Sequence, residues 1–170
     1  MRRSLLSLTI LALAGGFLLA TPAFAKTARS SSNEPGWEAA PLYTTLELAA
    51  GFDDDPRTIT LDAGGDRSAE GIGPDCGGYI NWEKPDVDVN YEAGNEKLSV
   101  YVKADSDTTL IIYTPDRRWV CADDISEANL NPSITFDRPL KGNYNIWIGT
   151  YKESDPQSAT LYVSELDPPR

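Results

Sequence analysis

The chain contains no histidine. That excludes Ser-His-Asp and Cys-His nucleophilic machinery, which needs an imidazole base, and zinc hydrolysis through histidine ligands. Cysteine is nearly absent as well. The two present, Cys76 and Cys121, are not spaced as Cys-x-x-Cys, so a dithiol redox centre is not encoded. Basic residues are scarce: 15 against 26 acidic ones, and two of the 15, Arg2 and Arg3, fall at the amino terminus. That balance argues against nucleic acid and anionic membrane surfaces as partners, because binding to phosphates relies on Lys and Arg. Beyond residue 25 no apolar run approaches the roughly 20 residues that cross a bilayer. No stretch of a dozen residues there keeps the 3.6-residue period of an amphipathic helix.

What is present has three parts. Residues 1–25 read as a secretory signal peptide, with Arg2-Arg3, an apolar run from Leu5 to Ala20, and small residues at Ala23-Phe24-Ala25 for cleavage. The exported protein is then expected in the periplasm or outside the cell, with no stable membrane insertion after cleavage. Residues 26–41 read as a flexible tether around Ser30-Ser31-Ser32-Asn33. Residues 42–167 carry the folded domain. In an oxidising compartment Cys76 and Cys121 are expected to pair, closing a loop of 45 positions that the chain-entropy account values at about 4 kcal/mol.

Ten short segments rich in β-branched and aromatic residues follow one another, separated by Gly, Pro, Asn and Asp. They are Tyr43–Leu48, Arg57–Asp62, Gly78–Trp82, Asp86–Tyr91, Lys97–Lys103, Thr108–Thr114, Arg118–Cys121, Ser133–Asp137, Asn143–Lys152 and Ala159–Glu165. Val87, Val89 and Tyr91 alternate with Asp86, Asp88 and Asn90, the period-two pattern of a strand with one buried face. Leu110 to Tyr113 is apolar on both sides, which predicts a central strand. The expectation is an all-β fold: an antiparallel β-sandwich of jelly-roll type with about 8–10 short strands.

Three families of residues are candidates for chemistry. Asp105, Asp107, Asp116, Asp123 and Asp124 lie in loops near strand ends and could supply the oxygens that Ca2+ requires. Tyr101, Trp147 and Tyr162 fall on the outward sides of their strands. If those strands are neighbours, the three rings form an aromatic platform for sugar rings or a protein partner. The alternative places Trp147 under loops, with Trp82 and Trp119 packed around the disulfide. Catalysis has little to work with. Lys84, Lys97, Lys103, Lys141 and Lys152 sit among polar residues, unlike the desolvated lysine of a Ser–Lys dyad. Glu83, Asp86 and Asp88 are the nearest thing to the paired carboxylates of a glycosidase, with no spacing that singles them out. No catalytic residue is assigned.

Asp107-Thr108-Thr109-Leu110-Ile111-Ile112-Tyr113, then Leu140-Lys141-Gly142-Asn143-Tyr144-Asn145-Ile146-Trp147-Ile148-Gly149, then Ala159–Ser164 resemble, in order and spacing, three strands of the bacterial pre-peptidase C-terminal domain family. The resemblance spans roughly Thr58 to Leu166. It implies a small jelly-roll sandwich that serves secreted proteins as an accessory module. Together these readings predict a non-enzymatic exported binding or accessory module of the cell envelope, with an envelope protein or polysaccharide as partner and calcium as a candidate stabiliser. A purely structural or stability factor is the alternative, and a carboxylate-based hydrolase a distant third.

Overall fold

The computed structural model describes residues 33–126, 129–152 and 156–169. The signal-peptide assignment and residues 26–32 of the tether lie outside the described residues. Eleven strands form: β1 Thr44–Ala49, β2 Arg57–Ala63, β3 Arg67–Ser68, β4 Tyr79–Ile80, β5 Val87–Glu92, β6 Leu98–Ala104, β7 Thr108–Tyr113, β8 Trp119–Ala122, β9 Ser133–Phe136, β10 Gly142–Thr150 and β11 Gln157–Ser164. All ten segments expected from the sequence become strands. The two-residue β3 is the addition, too short to show alternation. Among the described residues there is no helix, and so none able to cross a membrane.

The strands make two stacked sheets. The smaller one runs β2-β11-β6-β9, antiparallel throughout. In the larger one β10 is the hub. Its residues Gly142–Ile146 pair with β5, and Asn145–Thr150 pair with β7 on the opposite edge. β1 extends the sheet beyond β5, β8 extends it beyond β7, and β3-β4 adds a flap that meets β10 at Thr150. One pairing departs from the antiparallel expectation: β1 lies parallel to β5, Thr44 opposite Val87 through Ala49 opposite Glu92.

Alternation along these strands builds the core. Val87, Val89 and Tyr91 of β5, Leu110 and Ile112 of β7, and Tyr144, Ile146 and Ile148 of β10 point between the sheets. They meet Leu61 of β2, Leu98, Val100 and Val102 of β6, and Leu161 and Val163 of β11. The other side chains of β7 and β10 are buried too, because a second apolar layer covers the outer face of the larger sheet. Ile111, Tyr113 and Trp147 contribute from below; Ala69, Ile80 and Trp82 close over them with Trp37, Ile72 and Trp119. This explains why β7 is apolar on both sides and fully buried along its length.

Two glycines let that cover sit close. A Cβ on Gly65 would lie 1.9 Å from the backbone carbon of Ile80, and one on Gly149 would lie 3.0 Å from Tyr79 O. The cover is fastened by the disulfide between Cys76 and Cys121, with Trp119 beside it across Gly73. The expected tether ends sooner than residue 41. Gly36 N–H donates to Trp82 O at 2.8 Å, Leu42 N–H donates to Pro85 O at 2.8 Å, and the Trp37 ring lies 5.0 Å from that of Tyr113. A tryptophan with an apolar surface to cover it does not stay in a linker.

Candidate functional site

The three rings expected to form one platform are divided between the sheets. Tyr101 on β6 and Tyr162 on β11 are register partners on the outer face of the smaller sheet. Their rings stack 4.8 Å apart at 5° to one another, with Lys103 Nζ 5.2 Å from the Tyr162 centroid. Each ring therefore covers one face of the other, and Tyr101 is 8% exposed. Trp147 belongs to the other sheet and is completely buried. Its ring packs 5.5 Å from Trp119, and its indole N–H donates to Asn81 O at 2.9 Å. The single aromatic platform is not assembled, and Trp147 is core. Alternation placed it correctly on the outward side of β10, but that side has a roof.

Of the five expected metal ligands the fold gathers three. Carboxylate oxygens of Asp107, Asp123 and Asp124 all lie within 4.8 Å of one another. Asp107 Oδ1 is buried with no hydrogen-bond partner among the described residues. Burial raises the carboxyl pKa of Asp107, the charge of Asp124 raises it further, and Lys152 works against both. Asp123 is raised by burial and then by Asp124 and Asp107. Asp105 is an exposed residue of the β6–β7 turn and stands outside this group. Asp116 is excluded by topology. It sits in the β7–β8 turn, at the opposite end of β7 from Asp107. There it accepts from Thr114 Oγ1 and Arg118 Nε, both at 2.6 Å, and these bonds lower its pKa.

The carboxylates considered for glycoside hydrolysis have other partners. Asp86 is 1% exposed and completes a ladder. β5 and β4 both approach the same edge of β10 and leave a gap opposite Ile148. Asp86 Oδ2 fills it by accepting from Ile148 N–H at 2.8 Å, while Ile148 O accepts from Gly64 N–H at 2.8 Å. Burial pushes the Asp86 carboxyl up to about 7, and the Ile148 bond offsets part of that. Asp88 is raised by burial and lowered by its bond from Asn145.

Asp88 and Asn145 belong to an array that the sequence reading did not single out. On the outer face of the larger sheet, beyond the aromatic cover, three neighbouring strands place planar polar side chains in register. In one row Asn143 Nδ2 donates to Asn90 Oδ1 at 2.8 Å, and Asn90 Nδ2 donates to Glu47 Oε1 at 2.6 Å. In the next, Asn145 Nδ2 donates to Asp88 Oδ1 at 2.8 Å. Lys141 Nζ bridges to Glu92 at 2.7 Å at the lower end. Both relays donate in the same direction, from β10 toward β5 and β1. Each amide is thus fixed in orientation by its neighbours rather than by solvent. Glu47 and Glu92 are exposed and Asn90 and Asn143 half-buried, around a shallow depression of about 400 Å³. The signal available in sequence was the polar side of Val87–Glu92 matched by Asn143 and Asn145. What was missing was that β5 and β10 are partners.

No family model matches the chain, and no curated protein matches it. Among solved structures it is similar to the pre-peptidase C-terminal domain of a collagenase from Bacillus anthracis. That match has 10% identity and a TM-score of 0.44, covering 74% of this chain and 98% of the domain. It is also similar to PliG of Aeromonas hydrophila, a periplasmic lysozyme inhibitor of g-type lysozyme, at 13% identity and a TM-score of 0.35, covering 71% and 96% respectively.

Proposed function

We propose that this chain is an exported, non-catalytic recognition domain of the cell envelope, and that it meets a protein or polysaccharide through the carboxamide and carboxylate face of β1, β5 and β10. The observation that carries this reading is the relay Asn143–Asn90–Glu47, held in register along the shallow depression, with the buried Asn145 bracing Asp88 in the next row. Side chains already locked by one another lose little rotamer freedom when a partner arrives, so more of the contact energy appears as affinity. Rigid strands also place such groups more exactly than loops do. Export is supported by the signal-like leader and by the Cys76–Cys121 bridge, which belongs to an oxidising compartment. The test is binding of immobilised protein to isolated envelope polysaccharide and envelope protein fractions. The wild type should bind one fraction, and the double variant Glu47→Ala/Asn90→Ala should bind at least tenfold more weakly with its fold retained. Equal binding by the two proteins would refute the assignment of this face.

A second reading concerns calcium and is favoured by one observation, the three carboxylates of Asp107, Asp123 and Asp124 within 4.8 Å of one another. Burial and neighbouring carboxylate charge raise Asp107 and Asp123, and a hard divalent cation with oxygen ligands would relieve the charge part of that. The ion would tie the β6–β7 turn to the segment after β8 and would be structural. Added calcium should then raise the melting temperature of the wild type and leave Asp123→Asn unchanged. An unchanged wild type would end this reading.

A further inference from the structure

Two clefts meet at Tyr151, at the end of the sandwich away from the relay face's depression. One, of about 700 Å³, lies between the β3–β4 flap and the end of β10; Ser68, Glu70 and Gly77 line it with Tyr151 and Lys152. The other, of about 300 Å³, has the same Tyr151 and Lys152 on one side and Ser106, Asp107 and Gln157 on the other. Both volumes fall in the range that accommodates a small ligand. Tyr151 is 57% exposed, the most exposed aromatic side chain among the described residues.

From this we infer that Tyr151 and its two flanking clefts form a binding site for a short stretch of a neutral polysaccharide. The polar groups of the lining are hydroxyl, amide, carboxylate and ammonium, set around the uncovered Tyr151 ring, with Tyr79 and Cys76 also in the wall of the larger cleft. A pyranose presents both surfaces that such a site can use. Its C–H face packs on an aromatic ring, and its hydroxyls both donate to carboxylates and accept from an ammonium group. A polyanionic chain is disfavoured. Lys152 is the one cation of the lining, set against Glu70 and Asp107, and Asp123 and Asp124 stand beside Asp107. This site is separate from the relay face proposed above and names a ligand class for a different part of the surface.

Gly77 provides a clean way to close the larger cleft. A Cβ there would meet nothing within 4 Å, and its backbone is not in the left-handed region that demands glycine. Gly77→Leu should therefore fold normally while placing a side chain in the cleft.

The experiment is calorimetric titration of the exported chain with four hexasaccharides: β-1,4-linked N-acetylglucosamine, β-1,4-linked glucose, α-1,4-linked glucose, and galacturonate as the anionic comparator. At least one neutral hexasaccharide should bind, with galacturonate weaker or silent. Tyr151→Ala and Gly77→Leu should each weaken that binding at least tenfold with circular dichroism unchanged, and Tyr151→Phe should retain it. The inference is overturned if no neutral hexasaccharide binds, if galacturonate binds best, or if binding survives both cleft variants. Loss of sugar binding in Glu47→Ala/Asn90→Ala but not in the cleft variants would also overturn it, while supporting the relay face.

Discussion

Replacing Asp86 by asparagine should flatten the dependence of stability on pH between 5 and 8. In the folded protein burial holds the Asp86 carboxyl at about 7 against an ordinary value of 3.8. The native state therefore keeps a proton that the unfolded chain has already released. The stability contributed by this group is full below the unfolded value and is lost as pH rises through 7. Integrating the difference in bound protons from pH 5 to pH 8 gives a loss of about 2–3 kcal/mol. The chain has no histidine, so no imidazole adds its own slope in this window. Asp88, Asp107 and Asp123, also raised, contribute with the same sign in both proteins and cancel in the comparison. The amide oxygen of the substituted side chain can still accept the Ile148 N–H, so the variant should match the wild type at pH 5 within about 1 kcal/mol and exceed it at pH 8. Urea unfolding followed by far-ultraviolet circular dichroism at the two pH values gives both numbers. Parallel pH profiles for Asp86→Asn and wild type would show that the carboxylate is not the titrating group and would refute the account of the ladder gap.

Trp147→Ala should cost about 3–5 kcal/mol, because the ring is completely buried against Trp119; an unchanged urea midpoint would make the aromatic layer dispensable. Glu165 accepts from Gly51 N–H at 2.9 Å and from Tyr91 Oη at 2.7 Å, and burial followed by this carboxylate raises the tyrosine. Glu165→Gln should let Tyr91 ionise at lower pH in an ultraviolet titration, and no movement would remove Glu165 as a cause. Thr109 Oγ1 is buried with no hydrogen-bond partner among the described residues. The isosteric Thr109→Val should therefore leave the melting temperature unchanged or raised, and a clear fall would reveal a bond to that hydroxyl.

Strand positions were legible because alternation and turn residues are local properties, and the local pattern agrees with the fold at every strand longer than two residues. The face each side chain takes was legible for the same reason: Val87, Val89 and Tyr91 went inward as expected. Partnership was not. Trp147 and Tyr162 lie on consecutive strands, β10 and β11, and nothing in either segment says that the chain changes sheet between them. The roof over Trp147 depends on contacts among residues 37, 69 to 82 and 119, set far apart in the chain and brought together by the Cys76–Cys121 bridge and by Gly65. Asp86 illustrates the same limit at one residue. Its alternation places it with Asp88 and Asn90 on the polar side, whereas the unpaired amide of Ile148 draws it into the plane of the sheet. The acid cluster was half legible: proximity in sequence suggested five carboxylates, and the length of β7 separates Asp116 from Asp107.

The aromatic roof also divides the molecule optically. All four tryptophans, Trp37, Trp82, Trp119 and Trp147, belong to the layer outside the larger sheet, and the smaller sheet has none. Their emission therefore reports on that roof alone. Because Trp119 and Cys121 share one face of β8, the sulfur–sulfur bond lies where it can quench that emission, and a reductant should brighten the roof before the sheets themselves come apart.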